Sequence, residues 1–299
     1  MPRYKVQDNR HQIIADSSRY HVRKKRKVGS KFFCLILLII LVSLFVIFEL
    51  NGNLSELPGY FENRFHPSYD RLPLIYSPFD KPSVLAESLF KQHQAEYSES
   101  EKIQIKREPA SVEFFVRLHE GMTETEQVSE RADKLVGDFL PHYVQWDQRW
   151  AFHSYIGGPL ALTGCGPCCL SMVYAGLTGN TDLPPDLMAD FAMQKGYFVE
   201  DVGTAWSLFD EGAAQLGLNA ESLALEQTAF NQALDAGKLI ILSLTSGDFT
   251  TTGHFIVVWS HTGDEYHVLD PFNVQLSQKS WKYSVLISQT ATAWAFSTN

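Results

Sequence analysis

Three of the four cysteines of this chain stand within the stretch "TGCGPCCLSM", Thr163 to Met172. Thiols at that spacing serve three chemistries: thiol–disulfide exchange, metal ligation, or nucleophilic attack by one thiolate. Cys165-Gly166-Pro167-Cys168 is letter for letter the C-x-x-C of thiol oxidoreductases. That chemistry needs the motif directly after an apolar strand and inside a βαβ unit, whereas here "IGGPLALTG" precedes it and no βαβ alternation follows. A structural zinc site pairs two cysteine or cysteine–histidine clusters. The chain has no second cysteine pair, and His254, His261 and His267 are spread along a hairpin. Cys165 and Cys168 could form a disulfide, but three cysteines inside one turn cannot all be paired, unlike an extracellular staple framework. No metal and no cofactor is expected.

The nucleophile alternative explains more of the stretch. Gly164 and Gly166 let the backbone turn around Cys165, and Pro167 suits the first position of a helix predicted over Pro167 to Leu177. A cysteine at the positive end of a helix dipole, beside an imidazolium, is held as thiolate. Cys168 and Cys169 fall on the following turn and are expected to pack in the core.

A base must come from elsewhere in the chain. "HFIVVWS" and "YHVLD", joined by "HTGDE", read as a β-hairpin. If it closes on "HTG", with Ser260 facing Asp264, then His254 lies opposite Asp270, close enough for the carboxylate to hold an imidazole N–H. A register shift of two would place Val268 or Phe272 there instead. His261 suits the turn, and His267 is offset by one from the face of Asp270.

Several elements must position these residues. Helices are predicted over Pro185 to Lys195, Thr204 to Leu216 and Gln227 to Ala236, ahead of strands at 238–244, 254–260 and 266–270. Helices followed by a strand cluster define an α+β fold. Residues 1–31 carry a charge of +8 and form a basic cytoplasmic tail, which leaves −17 on the remainder of the net −9. An acidic body of that kind excludes nucleic-acid binding. "FFCLILLIILVSLFVIF", Phe32 to Phe48, is uncharged and preceded by "RKKRK", so residues 32–50 are expected to span a membrane with the amino end cytoplasmic. A cleaved signal peptide is disfavoured, because no small-x-small site follows. Residues 51–140, punctuated by prolines, are expected to be an extracellular stalk or accessory region, with helices at "SVLAESLFKQHQAEY" and "TETEQVSERADKLVGDFL". Residues 141–299 are long enough for one compact core.

"VQWDQRW", "GCGPCCLSMV", "GHFIVV" and "VLDPF", in that order, resemble the C39-like cysteine peptidases, relatives of the bacteriocin-processing C39 peptidases. The resemblance covers about Tyr143 to the carboxyl end. It implies a papain-like α+β domain on a membrane-anchored bacterial protein. It also implies Cys165 as nucleophile, His254 as general base, Asp270 as the group that orients it, and Gln145 as the oxyanion donor, with Gln148 a second candidate. Many relatives have small residues where this chain has Cys168 and Cys169. "DVGTAW" is similar to a family loop, which would bring Gly203 and Thr204 to the cleft. The implied chemistry is acyl transfer on a peptide or cell-wall peptide. A catalytically inactive binding module of the same fold and an amidase or acyl-transferase are the alternatives, because fold and triad do not encode the substrate.

Overall fold

A computed structural model describes residues 84–122, 140–200 and 202–298. The basic tail, the apolar run at 32–48, most of the proline-rich stretch and the helix expected within 123–140 lie outside the described residues, Leu140 excepted. Among the described residues no helix is long and apolar enough to cross a membrane.

Three helices come first: α1 (Val84–His93), α2 (Glu99–Arg107) and α3 (Val112–His119). Ser98 and Glu101 start α2 with reciprocal side-chain-to-backbone bonds that satisfy its first free amides. In α3, Val112, Phe114, Phe115 and Val116 are all buried. They share a core cluster with Val144, Trp146, Ala151, Phe152 and Ala161, so the helices pack onto the segment that leads into the cysteine stretch.

Short strands β1 (Ser154–Tyr155) and β2 (Gly158–Pro159) lead through α4 (Leu160–Thr163) into α5 (Cys165–Thr178), followed by α6 (Pro185–Lys195). The bounds of α6 match expectation, because Pro185 opens it and Gly196 ends it in the left-handed conformation. Helix α5 begins two residues before Pro167. Proline is tolerated there because first-turn amides have no intrahelical acceptor.

One helix expected at 204–216 is instead three pieces. Strands β3 (Phe198–Val199) and β4 (Gly203–Thr204) pair, a single 3₁₀ turn spans Trp206–Leu208, and α7 covers Glu211–Gln215. Gly203 at φ +140° and the non-helical Asp210 interrupt the periodicity. The chain continues through β5 (Leu218–Ser222), α8 (Gln227–Asp235), β6 (Leu239–Leu244), β7 (His254–Thr262) and β8 (Glu265–Leu269). It ends with α9 (Val274–Ser277), β9 (Ser280–Lys282), α10 (Tyr283–Ile287) and β10 (Thr290–Thr298).

The last six of these strands form one antiparallel sheet in the order β5-β10-β6-β7-β8-β9. Every residue of β6 is buried, because helices cover both sheet faces. Ile241, Phe255, Val257 and Phe296 pack with α5 and α6, while Ile240, Leu242, Ile256 and Val258 pack with α8 and α10. Successive side chains alternate between these two layers, so both parities are apolar and the runs read as continuous.

The β7–β8 register differs from expectation. Thr262 faces Glu265 around a two-residue turn in which Gly263 takes φ +62°. That turn follows the twist of the flanking strands. That turn already sets Ser260 against His267 rather than Asp264, and a register shift between Val258 and Ser260 then brings Val258 opposite Val268. Val257 faces Leu269, the last residue of β8, and Asp270 therefore lies just past the ladder.

Candidate active site

Cys165 occupies the first position of α5, and glycines on both sides of it answer to close packing. A Cβ at Gly164 would come within 2.6 Å of the Leu160 carbonyl oxygen. One at Gly166 would lie 2.7 Å from the Cβ of Thr204, so neither position accepts a side chain without movement. The first backbone bond across this start runs from the Cys168 N–H to the Gly164 carbonyl, at 3.0 Å. The Cys165 N–H therefore stands among the amides that the helix leaves unused.

His254 opens β7, next to α5. Asp270 Oδ1 accepts from His254 Nε2 at 2.8 Å, from the Phe272 N–H at 2.7 Å and from the Asn273 N–H at 3.0 Å. A carboxylate only accepts here, so Nε2 of His254 bears a proton and Nδ1 is the ring nitrogen available to Cys165. The His254 side chain is 9 % exposed and Asp270 is fully buried. Burial alone would favour neutral imidazole. The Asp270 charge and hydrogen bond, together with the hydrogen bond and charge of Cys165, outweigh it and raise the His254 pKa to about 10.

The turn after Asp270 is held from several sides. Asp270 donates its N–H to Ser277 Oγ at 2.8 Å and accepts at its carbonyl from His142 Nε2 at 2.7 Å. Trp146 Nε1 donates to the Phe272 carbonyl at 2.8 Å, and Gln145 donates its N–H to the Pro271 carbonyl at 2.7 Å. His142 is fully buried, and burial lowers its pKa, consistent with a neutral ring whose proton sits on Nε2. Neither His142 nor Ser277 carries a sequence signal, since each acts through backbone groups of the turn, His142 from 128 residues away.

Cys165 and His254 line one cleft of about 640 Å³ together with Gly203, Thr204, Trp206 and Ser243. Trp206, at its rim, is 52 % exposed. The Tyr155 hydroxyl and Thr204 Oγ1, 2.9 Å apart, tie the wall of the cleft to β1. Gln145 and Gln148 are buried and do not line this cleft. Gln145 Nε2 donates to the Ala161 carbonyl at 2.5 Å, one turn before Cys165.

Cys168 and Cys169 are free thiols in the main core, and burial pushes both well above the ordinary thiol range. Among the described residues no group of three or more His, Cys, Asp or Glu is arranged to hold a metal ion. His261 Nε2 and Asp235 Oδ1 are 3.0 Å apart, away from the cleft residues.

A family model, the Peptidase_C39 like family, matches residues 139–299, and the chain belongs to that family. Similar solved structures include two peptidases. The peptidase domain of Streptococcus ComA, described as a bi-functional ABC transporter involved in quorum sensing, is 18 % identical over 46 % of this chain and 93 % of that chain, with a TM-score of 0.36. A C39-like peptidase from Bacillus anthracis is 13 % identical over 46 % of this chain and 90 % of that chain, with a TM-score of 0.34. No curated protein matches the chain.

Proposed function

We propose that the chain is a membrane-anchored cysteine peptidase with an extracellular domain, working through Cys165, His254 and Asp270. The observation that carries the peptidase activity is the 2.8 Å contact between His254 and Asp270 beside a cysteine at a helix N-terminus in the same cleft. In the first half-reaction the Cys165 thiolate adds to an amide carbonyl carbon. The imidazolium of His254 protonates the leaving nitrogen, the C–N bond breaks and a thioester remains. In the second, His254 takes a proton from water, the hydroxide displaces the thiolate, and the acid leaves. Asp270 stays ionised and holds the imidazole in the productive tautomer.

The carbonyl oxygen gains charge in both additions, and the free N–H of Cys165 is one donor for it. The side chain of Gln145 is the second, which requires its amide to turn from Ala161 toward the cleft. The anchor is the run Phe32 to Phe48, oriented by the basic cluster that precedes it, and the substrates are peptides or cell-wall peptides on the outer side.

Profiling of peptide and cell-wall peptide libraries with the full chain tests the activity, with Cys165→Ala as control. Cleavage lost in that variant supports it. A peptide retained without cleavage by both forms favours a binding module. For the anchor, proteolysis of intact cells must remove residues 141–299, and a protected domain contradicts the topology.

A further inference from the structure

The end of α2 touches both chain segments that carry the His254–Asp270 pair. Arg107 Nη2 donates to the Asp248 carbonyl at 2.7 Å, in the loop between β6 and β7 that delivers His254. The Arg107 carbonyl accepts from Asn273 Nδ2 at 2.8 Å. Glu108, the next residue, is only 3 % exposed. Its Oε2 accepts from the Val274 N–H at 2.8 Å, and its Oε1 accepts from the Ala110 N–H at 3.2 Å. Asn273 is the link, because its backbone N–H rests on Asp270 Oδ1 while its side chain reaches Arg107 and its Oδ1 caps α9 at Leu276.

Burying a carboxylate is costly unless it is fully hydrogen-bonded. Burial raises the pKa of Glu108, opposed by backbone N–H groups of Val274, Ala110 and Gln275, and the nearby Asp270 charge adds to the rise. A group used only to cap its own helix has no need of that burial. Here one carboxylate oxygen is spent on the turn that aims Asp270, across 166 residues of sequence.

We propose that Arg107 and Glu108 are positioning residues for the His254–Asp270 pair, so that the α1–α3 segment is a working part of the site rather than a spacer. This rests on the peptidase reading of the same residues. Asp270 has little freedom of its own: its Oδ1 must receive two backbone N–H groups and the imidazole at once. A turn released from Glu108 and Arg107 shifts those N–H groups and with them the acceptor that orients His254.

The test uses the full chain with Glu108→Ala, Glu108→Gln and Asn273→Ala. Two quantities are read: the ¹⁵N-coupled proton signal of His254 Nε2, and the rate of Cys165 alkylation by iodoacetamide at pH 6. Glu108→Ala is expected to shift or broaden the signal and slow alkylation about tenfold, the equivalent of one pH unit of titration. Glu108→Gln, which keeps an acceptor for one of the two N–H groups, restores most of both. A folded Glu108→Ala protein with the wild-type signal and rate overturns the proposal. If that variant does not fold, Asn273→Ala decides, since it removes the tie to Arg107 and leaves the N–H on Asp270; an unchanged signal overturns the proposal. Wild-type alkylation no faster than that of a free thiol defeats the peptidase reading instead, and the His254 signal still decides the positioning role.

Discussion

Asp270→Asn separates charge from shape at the centre of the site. The side chains are nearly isosteric, and asparagine keeps an oxygen for the Phe272 and Asn273 N–H groups that fold the turn. What disappears is the negative charge, which with its hydrogen bond holds the His254 pKa at about 10 although burial pulls it down from 6.5. Without that charge the chief cause of the rise is gone, so the midpoint is expected to fall from about 10 toward the ordinary 6.5. The buried, unpartnered Asp270 Oδ2 also becomes an amide with no acceptor, adding a destabilisation of about 1–3 kcal/mol. Histidine-selective ¹⁵N NMR titration of the full chain reads the first effect. Stability against pH reads its counterpart. A raised pKa contributes stability that is complete below about 6.5 and lost as pH climbs through about 10, so wild type loses stability across that alkaline range and Asp270→Asn does not. A variant His254 that still titrates above pH 9 refutes the assignment of Asp270 as its charge partner.

Gly166→Ala forces Thr204 away from the start of α5, breaking its contact with Tyr155, and is expected to lower kcat while far-UV circular dichroism stays native. Gln145→Ala is expected to lower kcat about 10²- to 10³-fold with little change in KM. A loss confined to the melting temperature would restrict Gln145 to holding the Ala161 turn. Phe115→Ala empties a fully buried site in the core shared by α3 and the 144–161 segment, and is expected to destabilise by about 3–5 kcal/mol in urea unfolding.

The chemistry of the site was more legible in the sequence than its architecture. Cys165 could be singled out because glycine, proline and helix-start rules act over a few residues, and the same local rules placed α6 and β6. The pairing of His254 with Asp270 was found through a hairpin register that the structure replaces. Gly263 makes the turn one step tighter, and Asp270 comes to the imidazole from the turn after β8 rather than from across the ladder. Strand β10 went unread because Thr290, Thr292 and Thr298 dilute an apolar pattern whose role emerges only when it inserts between β5 and β6. His142, Glu108 and Ser277 were invisible for another reason. Each bonds backbone groups of one turn, and Glu108 and His142 lie more than a hundred residues from it, so no local pattern reports them.

A thiolate–imidazolium pair of Cys165 and His254 can be read by alkylation with iodoacetamide from pH 5 to 9, with the modified residue located by mass spectrometry. A free thiol, with a pKa of about 8.5, is only about 0.3 % thiolate at pH 6. With the pair in place, the Cys165 rate is expected to change little between pH 6 and 8 and to fall by about two orders of magnitude at pH 6 in His254→Ala. A wild-type rate that climbs about tenfold per pH unit, as a free thiol does, would contradict it.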